Sequence, residues 1–294
     1  AKRGGEGRSG TGCVAGCAIR CSNVWPDRTG RKIVASVQYE NIALLGSNCG
    51  IGDMDRIAEM NDLCNQVGVD AIETGAAIAV AMEAGVIGFG DSEGAKGLIR
   101  QIGEGTYLGR ILGNGVVVTG RLLGVRRVPA VKGQAIPGYD PRALKGNGVT
   151  YVTSPMGADH TAGNAFETLN TIKPTGREKQ VESSRMLQVR AAMLDSLGLC
   201  LFTRPPIRKN PKMLLDMLKG RYGRGYTIGD ARRIGEDCLD TEREFNKRAG
   251  VDERLRPMPE FMQEEALPPT GAVFDIPMEE MTGVWDVKLS EDDI

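Results

Sequence analysis

Cys13, Cys17 and Cys21 stand four residues apart in the stretch GCVAGCAIRCSN. The chain has only seven cysteines, so three thiols this close point to a common partner. A disulfide framework is a poor account: the count is odd, the cysteines cluster, and the sequence reads without a secretory leader. Zinc wants four ligands, often with two-residue spacers. An iron–sulfur cluster commonly takes three local thiolates and one remote. The pattern favours an iron–sulfur cluster, with a zinc site or unligated thiols as the alternatives. The fourth ligand has to come from Cys49, Cys64, Cys200 or Cys238. Cys64 lies on an apolar helical stripe, and Cys238 shares a helical face with Ala231, Ile234 and Phe245, so core packing accounts for both. Cys49, in the glycine loop GSNCGIGD, and Cys200, just after a helix break at Gly198, are evenly matched on the residues alone.

Two further residue types carry chemistry. His160 is the only histidine, and imidazole is the side chain best suited to move protons near neutral pH, although a lone histidine is more often a satisfied polar residue. Glu40 sits between two apolar stretches, where a carboxylate costs free energy unless it has a partner. A helix-N-terminal acid is the plain alternative reading there.

The elements that must hold these residues are mostly helices. Asp53 is a good N-cap for a helix ending at Val67, with Gly68 as its stop, and the stripe Ile57, Met60, Cys64 and Val67 has helical spacing. Asp70 reads as the N-cap of a second helix over 71–84 that is apolar on nearly all sides and therefore buried. Further helices are expected at 92–102, 116–124, 159–169, 179–198, 210–219 and 228–248. Residues 1–30 read as loop around the cysteines, and KIVASVQYENIAL as a strand that turns into a helix. The proline- and glycine-rich stretch 129–148 reads as irregular and as the domain junction. The tail from Leu255 is expected to be loosely packed at its end.

Several classes are set aside. Lys and Arg total 37 against 38 Asp and Glu, which gives no electrostatic case for nucleic acid or anionic lipid. A spanning helix needs about 18 apolar residues, and the best run, AAIAVAMEAGVIGFG, is interrupted by Glu83 and glycines. The glycines of GEGTYLGRILGNG have a phosphate-loop look, but no Lys-Ser/Thr pair follows. Arg126 and Arg127 read as a solvated face or a docking edge for an acidic partner. Reduced thiols fit a cytoplasmic protein.

The segment DSLGLC, Asp195 to Cys200, resembles the D-x-x-G-L-C motif of the tungsten-containing aldehyde:ferredoxin oxidoreductases. GCVAGCAIRCSNV resembles that family's three-cysteine segment, with a three-residue spacer (Val14, Ala15, Gly16) of the kind associated with bacterial members where many others have two. VDAIETGAAIAVAME resembles its other pterin-binding segment, led by Asp70, and YDPRALKGNGVTYVTSPMGADH the stretch bearing its active-site histidine. The likeness covers about residues 10–205.

The resemblance implies a mainly α fold, with two helical domains (1–130 and 131–294) packed around a bis-pterin/iron–sulfur site. It implies Cys13, Cys17, Cys21 and Cys200 as ligands of one [4Fe–4S] cluster. It also implies a tungsten (or molybdenum) bis-pterin contacted by Asp70, Thr74, Gly75, Asp195 and Leu199. His160 and Glu40 would be the catalytic pair, with Glu59 and Glu73 as alternatives for the glutamate. The implied reaction is oxidation of a small aldehyde to a carboxylic acid, with electrons passing to ferredoxin or another iron–sulfur carrier. The family's β-rich N-terminal domain has no counterpart in this sequence, so a separate N-terminal domain or subunit is an expected partner. The rival reading is an iron–sulfur electron-transfer or scaffold module that lacks the pterin.

Overall fold

The computed structural model describes residues 4–251 and 257–290. Leu255, from which the loose tail is drawn, and the last four residues lie outside the described residues. The chain divides into two compact units, Ala1–Gly138 and Tyr139–Ile294. Both are predominantly helical, as the sequence implies.

The first unit opens with a small antiparallel sheet, β1 (Arg8–Thr11), β2 (Ser22–Pro26) and β3 (Lys32–Ala35), in that order. This corrects the reading of residues 1–30 as loop. The strands are short, and within them only Pro26 and Val34 are buried, so they carry almost no apolar alternation to read. The sheet is held from outside itself: Val34 and Val37 pack with Ala58, and the Trp25 indole donates to Asp55 Oδ1 at 3.0 Å. The three-cysteine segment is the loop joining β1 to β2.

A short helix α1 (Tyr39–Asn41) runs into a π-helical turn, Ile42–Gly46, and a 3-10 turn, Ser47–Cys49. Then come α2 (Met54–Val67) and α3 (Ala71–Glu83). Asp53 caps α2 by accepting from the Asp55 N–H, and Gly68 ends it in the left-handed region at φ 80°. α3 is buried from Thr74 through Met82 and forms the spine of the unit. At Gly75 an added Cβ would fall 2.7 Å from the Leu44 carbonyl, so only glycine allows that close approach.

α4 (Ser92–Glu104), α5 (Tyr107–Gly113) and α6 (Val116–Leu123) complete this packing, followed by a two-residue hairpin, β4 (Ala130–Val131) and β5 (Gln134–Ala135). α5 lies inside the stretch that resembles a phosphate loop. Its Gly109 N–H is not open to a ligand: it donates to the Thr106 hydroxyl, and Gly109 is pressed against the Gln101 carbonyl.

In the second unit, α7 (Lys145–Thr153) is buried along its whole length. The stretch 129–148 is therefore not irregular throughout. Where a helix is expected over 159–169 there are two 3-10 turns, His160–Ala162 and Ala165–Thr168. The Asp159 and Asn164 side chains each bond the backbone two residues on, which stops one continuous helix from forming.

α8 (Gln180–Ser196) is the buried spine here. After it come α9 (Arg204–Lys209), α10 (Pro211–Tyr222) and α11 (Ile228–Arg248). α11 lies tightly along α8, with Gly235 against the Val189 carbonyl.

The described part of the tail is anchored, and the loose end expected of it lies outside the described residues. It carries α12 (Glu260–Glu264) and α13 (Met278–Thr282), and Met258, Met262, Phe274, Ile276, Met281 and Val284 are buried. Lys145 Nζ also pairs with Asp275 at 2.5 Å. Scattered single apolar residues among prolines have no period, so their burial is invisible in the sequence.

Candidate functional site

Burial sorts the cysteines. In the β1–β2 loop Cys13 and Cys21 are exposed and Cys17 is half-buried. Gly12, the run Cys13–Cys17 and Arg20 line an open concavity. Gly16 and Arg20 take positive φ (80° and 52°), which bends the loop back on itself. The Arg20 N–H donates to Cys17 Sγ at 3.4 Å. Backbone N–H groups of Arg20 and Ile19, and then the neighbouring Cys13, hold the Cys17 pKa below the usual thiol value. This is an environment that favours thiolate.

Cys200, immediately before the 3-10 turn Leu201–Thr203, is also exposed. Cys49 and Cys64 are 1 % exposed, and burial pushes both thiols up to about 12. The Cys49 thiol donates to the Leu44 and Gly75 carbonyls at 3.3 and 3.6 Å. That separates the two cysteines left even by the sequence: Cys200 is available to a ligand and Cys49 is a core residue. Cys238 is half-buried, with its thiol 3.8 Å from Glu242 Oε1. Phe245, two turns on along the same face of α11, stands in solvent at 69 % exposure, so that face is not buried along its whole length. Among the described residues, no three His, Cys, Asp or Glu side chains form a ready metal-binding group.

Asp70 Oδ2 accepts from the Glu73 N–H at 2.7 Å, the N-cap geometry that the sequence indicates. Thr74 is buried, and Gly75 is fixed by its contact with Leu44, so packing accounts for both. Each of the three glutamates is engaged. Glu40 Oε2 accepts from the Gly138 N–H at 2.8 Å while the Tyr39 hydroxyl donates to the Gly138 carbonyl at 2.9 Å. Glu59 Oε2 takes both Arg56 (2.9 Å) and the buried Lys96 (2.7 Å). Glu73 accepts from Val116 N–H at 2.7 Å and Ala135 N–H at 2.8 Å.

In the second unit, the His160 ring stacks on Tyr139 with centroids 5.0 Å apart, and Phe166 stands edge-on to Tyr139 at 6.3 Å. Burial lowers the His160 pKa, with Asp159 opposing. Asp195 lies in the last turn of α8, where desolvation raises its pKa, Arg204 opposes and Asp159 adds to the rise. Asp159 therefore acts electrostatically on both predicted residues. Arg204 is buried and bonded to Glu167, which also lies 3.7 Å from Arg190. Leu199 packs beside Met193, Leu194 and Ile207. Reading the sequence residue by residue singled out neither Tyr139, Glu167 nor Arg204. Tyr139 opens the stretch that resembles the family's histidine segment and Arg204 stands four residues after Cys200, while Glu167 carried no signal.

A family model described as aldehyde ferredoxin oxidoreductase, domains 2 and 3, matches residues 6–284. The chain belongs to the aldehyde ferredoxin oxidoreductase family. It is 31 % identical over 253 residues to the tungsten-containing aldehyde ferredoxin oxidoreductase of Pyrococcus furiosus, covering 79 % of this chain and 42 % of that protein. The enzyme of the same name from Thermococcus kodakarensis is 31 % identical over 278 residues, covering 87 % and 45 %. The chain thus spans less than half the length of these relatives. The matched residues of the aldehyde ferredoxin oxidoreductase family model include the cysteine loop, the α3 N-terminus, His160 and the α8 end.

Proposed function

We propose that this chain holds the cofactors of an oxidoreductase that converts an aldehyde to a carboxylic acid, its electrons leaving to ferredoxin. In this reading Cys13, Cys17, Cys21 and Cys200 hold a [4Fe–4S] cluster, and Asp70 and Asp195 hold a tungsten (or molybdenum) bis-pterin. The observation that carries it is the division of the thiols. Of the expected ligand set Cys13, Cys21 and Cys200 are exposed and Cys17 is half-buried, while Cys49 and Cys64 are sealed in the core and Cys238, also half-buried, lies against Glu242. The donor set fits an iron–sulfur cluster: accessible thiols, one already receiving an N–H.

When bound, the metallopterin supplies the two-electron oxidation and the cluster the one-electron exit. The chain's own residues do the rest. His160 is kept neutral by burial, so its ring nitrogen can take a proton at neutral pH, and the Tyr139 stack fixes the plane of the ring. Asp195 presents an exposed carboxylate that suits the N–H-rich edge of a pterin. Asp70 keeps one oxygen on the helix cap and offers the other to the second pterin. Glu40 fixes the Gly138 amide and is the proposed second catalytic carboxylate.

The test is metal content after anaerobic purification, on the parent chain and on Cys200→Ser and Cys49→Ser. About four irons per chain are expected for the parent and for Cys49→Ser, with most lost in Cys200→Ser. Iron unchanged in Cys200→Ser, or one zinc in place of iron, refutes the ligand set. A second reading, an iron–sulfur module without pterin, is favoured by Asp70, Thr74 and Gly75 each having a structural role already. Iron without tungsten, molybdenum or pterin fluorescence after oxidation selects it.

A further inference from the structure

We infer that the exposed face of α9 and α10, which begins just after Cys200, is the docking surface for an acidic electron-carrier protein. The inference rests on Cys200 being a cluster ligand. From Leu201 to Gly225 the chain carries seven Lys and Arg and a single acid, Asp216, in a protein whose formal net charge is −1. Arg204 is buried on Glu167. The other cations, Arg208, Lys209, Lys212, Lys219, Arg221 and Arg224, are all exposed. Lys212 pairs with Asp216, and Arg221 and Arg224 lie over the rings of Tyr222 and Tyr226. The neutral total of the chain thus hides a concentrated basic region.

The same face exposes large apolar groups. α10 buries Leu214 and Leu218, which pack with Ile207, Met193, Leu194 and Ala231. Beside that buried stripe, Met213 and Met217 lie one turn apart at 40 % and 53 % exposure, and Phe202 is 52 % exposed. Met213 and Met217, on a helix that also exposes Lys212, Lys219 and Arg221, offer an adaptable apolar strip beside charge.

The charge selects the occupant. A cluster of cations steers an acidic partner in quickly, and a small apolar centre gives brief contact without tight capture, as a turnover partner requires. Nucleic acid or anionic lipid would meet the same charge, but only a redox partner has a reason to sit beside Cys200. The step is the transfer of one electron from the reduced cluster to the oxidised metal centre of the carrier, with no atom exchanged and no bond made.

The experiment uses the complete enzyme containing this chain and a small acidic bacterial ferredoxin as the probe. Association is measured directly at low and high ionic strength, alongside reduction of a small dye. The variant Arg208→Glu/Lys209→Glu/Lys212→Glu is expected to slow ferredoxin association by about tenfold or more at low salt, leave dye reduction unchanged and flatten the salt dependence. Met213→Ser/Met217→Ser, which changes no charge, is expected to speed dissociation while keeping the association rate. Ferredoxin association unchanged in both variants overturns the inference. So does an enzyme that ignores ferredoxin but binds anionic vesicles or a DNA oligonucleotide through these lysines. If ferredoxin binds here to a protein that holds no iron, the surface stands and the ligand role of Cys200 fails.

Discussion

Replacing Glu73 separates a structural glutamate from a catalytic one. Its two carboxylate oxygens accept from N–H groups distant in sequence, Val116 at the start of α6 and Ala135 in β5. Both recipient residues are 0 % exposed, so alanine at 73 leaves two buried donors without an acceptor. A hydrogen bond to a charged group contributes about 1.5–3 kcal/mol. The carboxylate is only half-buried, which favours the low end of that range and gives about 3–4 kcal/mol for Glu73→Ala.

Glu73→Gln is the sharper variant. It keeps the shape but has one acceptor oxygen, and its NH₂ must face one of the two N–H groups, so about half the loss is expected. The assay is chemical denaturation of both variants, with hydrogen exchange followed at the Val116 and Ala135 amides. Stability should fall in the order parent, glutamine, alanine, with both amides exposed to exchange in the alanine variant and one in the glutamine variant. An alanine variant within about 0.5 kcal/mol of the parent, its two amides still protected, refutes the structural assignment and returns Glu73 to the catalytic candidates.

Three other outcomes are expected. Gly75→Ala should cost about 2–3 kcal/mol in a thermal melt, because the new Cβ meets the Leu44 backbone and no side chain can move aside. At pH 8, iodoacetamide should label Cys13, Cys17, Cys21 and Cys200 in the metal-free chain, while Cys49 and Cys64, with thiols pushed up to about 12, should label only after denaturation; peptide mass mapping reads the difference. The single histidine should give one imidazole NMR resonance titrating below 6.5, since burial disfavours its charged form. The folded state then binds that proton less readily than the unfolded chain. Its contribution to stability is present above pH 6.5 and lost as pH falls through the folded value, and His160→Gln should flatten that acid limb. A midpoint at or above 6.5 counts against the buried placement of the ring.

The sequence by itself determined what is local. Asp53 and Asp70 mark helix starts, and Gly68 a helix stop, because caps depend on residues within one turn. The apolar run in α3 announced a buried helix because no face was left for water. Motif order carried the family, since the cysteine loop, Asp70, His160 and DSLGLC all lie in short contiguous stretches.

Tertiary structure decided what depends on distant partners. Cys49 and Cys200 both lie within two residues of a glycine, and only packing shows that one thiol faces carbonyls in the core and the other is exposed. Glu73 looks like any first-turn acid until α6 and β5 bring their N–H groups to it. The three-stranded sheet exists through pairing across the cysteine loop, which no single strand encodes. The basic face beyond Cys200 could be counted in the sequence, but α8 and α11 had to bury Leu214 and Leu218 before that face was turned outward.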